Sequence, residues 1–458
     1  MSVAFLPALE QARLVREGEI SSLELVDEYL GRIDRFDPEL NAYVTVSADE
    51  ARVGARSPRP GPFSGVPLPI KDLTETAGIR TTFSSKAFAD YVPARDMEVV
   101  RRLRDAGFVV IGKTNTPEFG MTAVTESELN GACRNPWDPQ RTPGGSSGGA
   151  AAALAAGLAP IAHGTDGGGS IRIPASCCGV FGVKPSRGRV SPAPRGDPYG
   201  LSGSGPIART VADAAAFLDA IVGSLPGDPY RAPAPERPFA EEVGADPGRL
   251  RIGVALEPPH RVRVDERCAV AAREAGELLE ELGHEVEPMS FPPGHEALRM
   301  FAVVWGTIPA IYPVEDKTLL EPLNVAFVER AQQISSAEYV LAVTALQQQA
   351  REFATACSEF DVVLTPTLAQ PPVEVGWVRE PDDPWEQYSR AGRFTPFTPA
   401  VNVAGLPAAT VPFAWTADGL PLGIHLIGRA ADEATLIRVS AQLEEARPWI
   451  ARLPPGFD

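Results

Sequence analysis

Residues 141–190 read RTPGGSSGGAAAALAAGLAPIAHGTDGGGSIRIPASCCGVFGVKPSRGRV. Two glycine-rich turns stand in this stretch, each presenting a serine. The first, Gly144-Gly145-Ser146-Ser147-Gly148-Gly149, leads into an alanine-rich run; the second is Thr165-Asp166-Gly167-Gly168-Gly169-Ser170-Ile171-Arg172. A serine hydroxyl is a weak nucleophile until a neighbouring base takes its proton, and glycine lets the backbone come close to a ligand. Three consecutive glycines ahead of Ser170 can turn successive N–H groups toward one point, as a developing oxyanion requires. A flexible linker or a phosphate-holding nest would also be rich in glycine. A linker, however, is not followed directly by a helical Ala/Leu run and a second serine turn, and the G-K-[ST] ending of a phosphate-binding loop is missing.

The stretch resembles the signature region of the amidase signature family, whose members are Ser-Ser-Lys amide hydrolases. Gly65-Val-Pro-Leu-Pro-Ile-Lys71-Asp72-Leu73 is similar to the family's lysine segment, and Gly405-Leu406-Pro407 with Gly419-Leu-Pro-Leu-Gly423 is similar to its C-terminal pattern, so nearly the whole chain is covered. The resemblance implies the amidase signature fold, an α/β architecture with a mixed twisted sheet covered by helices on both faces. It implies Ser170 as nucleophile, Ser146 as bridging serine, Lys71 as base, and the N–H groups of Gly167, Gly168, Gly169 and Ser170 as the oxyanion hole. A cis peptide between Gly145 and Ser146 is implied as well, and neither a metal nor an organic cofactor. Many relatives carry a larger residue where Gly167 stands, and glycine there keeps the N–H while freeing the backbone. Asp166 and Arg172 flank the turn symmetrically and are expected to brace it as an ion pair.

Composition points to Lys71 independently. Of the 42 basic residues only Lys71, Lys86, Lys113, Lys184 and Lys317 are lysines, so arginine is used almost wherever a positive charge suffices. Arginine stays protonated, whereas a buried lysine can lose its proton and act as a base. An ion pair with Asp72 is the structural alternative for Lys71.

At 458 residues the chain is long enough for two or three ordinary domains. The resemblance spans both halves, however, and residues 1–458 are expected to form one domain. A signature core would run from about 60 to 222, a Pro/Gly-rich surface excursion from about 224 to 248, and a C-terminal part from about 249 to 458 would complete the same sheet. The net charge of −17 and the lack of a basic, aromatic-laced face argue against a nucleic-acid partner. The N-terminus MSVAFLPALEQARLV has no basic region ahead of a long apolar core, and the longest weakly apolar run, Gly148 to Ala162, is short of the roughly 20 residues that span a bilayer. A cytoplasmic protein with no membrane partner is expected, and a homodimer is allowed. Cys133, Cys177, Cys178, Cys268 and Cys357 are odd in number and show no C-x-x-C spacing, so buried thiols are expected rather than disulfides or zinc ligands. The five histidines lack metal-ligand spacing; only His163 lies near the site in sequence, as a local hydrogen-bonder or a rival base.

Ser21-Ser-Leu-Glu24 reads as a capping box opening a helix with Leu23, Val26, Leu30 and Ile33 on one face. Met97–Ala106 reads as a helix ended by Gly107, and Thr210-Val-Ala-Asp213 as the start of another. Phe108–Ile111, Arg251–Leu256 and Asp361–Thr365 read as buried strands. This alternation independently suggests an α/β fold.

The substrate is expected to be a small linear carboxylic amide, in a pocket walled by Phe119, Met121, Thr125, Trp305, Tyr312, Tyr388 and Phe397. The rival inside the family is the glutaminase subunit of a tRNA-dependent amidotransferase. Against it, the region from Asn324 to Ala345 lacks that subunit's arginine-rich segment, and Thr395 stands where it carries an acidic residue. A non-catalytic binding protein that kept the fold is the rival from another class.

Overall fold

Along the strand Val362–Pro366, Val362 and Leu364 join one hydrophobic core while Val363 between them joins another. The same alternation holds at Ala408 against Ala409 and at Leu426 against Ile427, as expected of strands buried on both faces. A computed structural model of the chain, describing residues 2–457, builds these strands into one eight-stranded sheet. Its order is Glu285–Pro288, Arg251–Val254, Val362–Pro366, Pro421–Gly428, Ala408–Trp415, Phe181–Lys184, Gly203–Ala208 and Ile161–Asp166. The first three run parallel and every later pairing is antiparallel, so the sheet is mixed. Strands from either side of the excursion share it.

The helices Val211–Ile221, Glu266–Glu281 and Glu433–Ala446 cover one face. The other carries Gly148–Ala155, Arg172–Cys178, Ser336–Ser358 and Pro399–Ala404. Alanine dominates Gly148–Ala155, and every residue of that helix is buried. Such small side chains let its backbone pass close to the strands.

A second sheet of three strands pairs Val109–Thr114 antiparallel with Tyr43–Val46 and parallel with Pro67–Lys71. The strand expected at Phe108–Ile111 is therefore three residues longer at its C-terminal end, and it belongs to this separate sheet. Pro67 and Pro69 fit because Pro67–Lys71 is an edge strand, where a missing N–H costs little. The capping box at Ser21 forms in both directions and opens the helix Ser22–Leu40. Residues 224–248 are mostly exposed and carry a single 3₁₀ turn, Phe239–Glu242. Among the described residues no helix is long and apolar enough to cross a membrane.

Candidate active site

Lys71 ends the edge strand of the small sheet and is fully buried. Its ammonium nitrogen lies 2.8 Å from Ser146 Oγ, 3.0 Å from Thr165 Oγ1 and 3.3 Å from Thr165 O. Burial lowers its pKa to about 7, partly opposed by the Asp166 charge. Asp72 is not its ion-pair partner: that carboxylate turns to the N–H and hydroxyl of Thr82, at 3.0 and 2.5 Å.

Ser146 follows a cis peptide with Gly145 and stands just before the helix Gly148–Ala155. Ser147 N–H donates to Ser170 O at 3.1 Å and Ser147 Oγ to Thr165 O at 3.2 Å, so the two serine turns are laced together. Ser146 and Ser170 are both buried, yet both line one cavity, and Ser170 lines a second one.

The second turn joins the strand Ile161–Asp166 to the helix Arg172–Cys178. Asp166 Oδ1 accepts the Gly169 N–H at 2.7 Å, Oδ2 accepts the Ile171 N–H at 3.1 Å, and Arg172 reaches both oxygens at 3.0 and 2.9 Å. Burial pushes the Asp166 carboxyl up, but the Arg172 charge and hydrogen bonds outweigh it and hold the group well below the carboxylate range. The expected brace is present and is wholly buried, with further anchors beyond it. Asn402 donates to Asp166 O and Oδ1 at 3.0 and 2.8 Å, and its own Oδ1 accepts from Arg172 at 2.5 Å. Thr398 Oγ1 donates to Gly168 O at 2.7 Å.

These bonds correct the expected oxyanion hole. The Gly169 N–H is committed to Asp166 and is no free donor. Gly169 has φ +129°, and a Cβ there would lie 2.2 Å from Thr398 Oγ1, so its glycine serves the turn and the close approach. The N–H groups of Gly167, Gly168 and Ser170 donate to no acceptor among the described residues.

Ser170, Gly120 and Trp305 line both cavities and so mark the boundary between them. The larger, about 450 Å³, is walled mainly by apolar groups including Met121, Ile173, Phe301 and Ala391, with Tyr388 and Thr395 also on its wall. The smaller, about 230 Å³, adds Thr74, Ser191, Arg195 and Asp197 to Phe119 and Tyr312. Phe119 has φ 51°, unusual for a side chain of its size, and its ring stacks on Tyr312 at 4.2 Å. Of the expected wall, Phe119, Met121, Trp305, Tyr312 and Tyr388 line the cavities.

Thr125 and Phe397 do not. Thr125 is buried behind the first serine turn, donating to Gly144 O at 2.8 Å and accepting from Gly148 N–H at 3.1 Å. Phe397 is buried outside both cavities. His163 is also misplaced as a base: both ring nitrogens lack partners among the described residues, and burial with nearby Lys71 and Lys113 lowers its pKa to about 3. Sequence reasoning missed Thr165, although it lies inside the quoted turn and its hydroxyl can accept from an ammonium. It also missed Thr398 and Asn402, which reach the turn from a helix more than two hundred residues away.

The family model described as Amidase matches residues 24–437. The 6-aminohexanoate-cyclic-dimer hydrolase of Paenarthrobacter ureafaciens is 38% identical over 477 residues, covering 98% of this chain and 96% of that protein. A solved structure of 6-aminohexanoate cyclic dimer hydrolase complexed with substrate superposes with a TM-score of 0.95 at 36% identity, covering 100% of both chains. A glutamyl-tRNA(Gln) amidotransferase subunit of Synechococcus sp. (strain CC9311) is 36% identical over 490 residues, covering 98% of each.

Proposed function

The chain belongs to the amidase signature family of hydrolases acting on carbon–nitrogen bonds, and from that membership we propose that it cleaves a linear carboxylic amide through an acyl-enzyme on Ser170. The observation that carries this reading is the buried contact of 2.8 Å between Lys71 Nζ and Ser146 Oγ, on a turn laced to the one holding Ser170. With its pKa near 7, Lys71 is substantially neutral at neutral pH and can accept a proton. It takes that proton from the Ser146 hydroxyl, which takes one from Ser170. Ser170 Oγ then attacks the amide carbon, and the N–H groups of Gly167, Gly168 and Ser170 stabilise the oxyanion. Collapse of the tetrahedral adduct breaks the C–N bond, and the proton returns along the relay to the departing nitrogen. Water then attacks the ester with Lys71 again as base, releasing the acid.

Ser170 lines both cavities, so the two halves of such a substrate can each take one of them. A stand-alone amidase is favoured over the amidotransferase reading, although identity alone does not separate them. Thr395, not a carboxylate, faces the larger cavity, and the segment from Asn324 to Ala345 contains a single arginine, Arg330.

A fluorophosphonate probe tests the reading without knowledge of the substrate. Stoichiometric labelling on Ser170, abolished in Ser170→Ala, is the expected result. A folded protein that stays unlabelled, or labels elsewhere, would overturn it and favour the non-catalytic alternative.

A further inference from the structure

Gly167 begins the glycine turn, and its N–H is a proposed oxyanion donor, yet nothing in its own side chain restrains it. The rest of the turn is held from one side: the Gly169 N–H by Asp166, the Gly168 carbonyl by Thr398. On Gly167 lies the indole of Trp305. A Cβ built on Gly167 would sit 3.1 Å from Trp305 Cζ3 and 3.2 Å from Cη2, so the edge of the indole occupies the space a side chain at position 167 would fill.

The indole is itself fixed on three sides. Trp305 closes the helix His295–Trp305, its Nε1 donates to Met121 O at 3.3 Å, and its ring stacks on Phe301 at 5.3 Å with an interplanar angle of 18°. Phe301 also approaches the turn, its Cζ lying 3.6 Å from where a Gly168 Cβ would be. These contacts give the indole a defined position at the junction of the two cavities, beside Ser170.

We propose that Trp305 is a positioning residue for the oxyanion hole, its indole edge supplying from another helix the restraint that a side chain at position 167 would supply from within the turn. The inference rests on the acyl-enzyme reading above. An oxyanion donor is effective when it is aimed before the charge develops, so a freed Gly167 would cost reaction rate more than ground-state binding.

The test uses the fluorophosphonate probe, whose phosphoryl oxygen occupies the same hole as the substrate's oxyanion. Saturation kinetics separate the maximal labelling rate from the apparent binding constant. Trp305→Ala is expected to lower the maximal rate by about tenfold or more, less than the roughly 10²–10³-fold cost of deleting a donor outright, with a smaller change in the binding constant. Trp305→Phe, which keeps an aromatic edge, should retain most of the rate. The decisive variant is Gly167→Ala combined with Trp305→Ala: a methyl group entering the space left by the indole should restore at least about a third of the lost rate on a logarithmic scale. An unchanged maximal rate in folded Trp305→Ala, or a double variant no faster than Trp305→Ala, overturns the proposal. Should Trp305→Ala not fold, an equal rate in Trp305→His and the wild type would overturn it. Failure of the acyl-enzyme reading looks different, because the wild type would then not label on Ser170.

Discussion

Lys71, Lys113 and Lys184 are fully buried, whereas Lys86 and Lys317 sit at the surface beside Glu128 and Gln332. The scarcity of lysine thus marks burial, of which chemistry is one use. Lys113 donates to Thr74 O, Thr76 Oγ1 and Thr81 Oγ1, and Lys184 to Pro185 O; neither bonds to Ser146 or Ser170. For Lys71 the expected behaviour is specific. Lys71→Arg keeps the charge but cannot deprotonate, so it should turn over amides roughly 10²-fold or more slowly than the wild type, close to Lys71→Ala. Near-normal turnover by a folded Lys71→Arg enzyme would show that the residue is structural. In the proposed mechanism the working form is the neutral amine, so kcat/KM should rise as pH climbs through about 7 and flatten above it, as measured across a buffer series. At this scale the motifs point to residues that the fold brings together: Lys71 Nζ lies 2.8 Å from Ser146 Oγ, and Asp166 pairs with Arg172 beside Ser170. Thr125 and Phe397 misled because their residue types suit a pocket wall as well as a buried brace, and only packing decides between them.

At the scale of elements, the glycine turn gathers anchors from distant parts of the chain. The strand Ile161–Asp166 delivers it and the helix Arg172–Cys178 carries it away, while the short helix Pro399–Ala404 locks it through Asn402. Asn402→Ala would leave buried groups of Asp166, Arg172 and Leu201 short of partners, at about 1–3 kcal/mol for such a loss. A Tm lower by several degrees and slower labelling of Ser170 are expected together, read by thermal melts and probe kinetics. An unchanged Tm would mean the network is dispensable. Local signals gave the elements their starts, as the capping box at Ser21 and the Thr210 cap show. They could not tell that Val109–Thr114 pairs in a small separate sheet, since partner choice depends on contacts far away in sequence.

Across the whole molecule, buried ionisable groups set how stability follows pH. Burial lowers Lys71 and Lys184 to about 7 and Lys113 to about 8, so between those values and the ordinary lysine pKa the unfolded chain holds more protons, and stability rises with pH. Burial raises the thiols in the opposite sense: Cys268 and Cys357 stand at about 12, with Cys133, Cys177 and Cys178 also raised. Above about pH 8.5 those thiols ionise only in the unfolded chain, and stability falls. Burial also raises Glu321 and Glu444 to about 7, which offsets the lysine slope around that pH, so calorimetric scans should show Tm climbing only above about pH 7.5 to a maximum at about pH 8 to 9 and then declining; a monotonic curve from there to about pH 10 would contradict it. The order of parts along the chain has one more effect. Lys71, Ser146 and Ser170 leave the ribosome more than two hundred residues before Thr398 and Asn402, which fasten the turn around Ser170. A growing polypeptide thus carries Ser146 and Ser170 through a long stretch of synthesis before the groups that fasten the second turn exist, and that turn cannot set until they do.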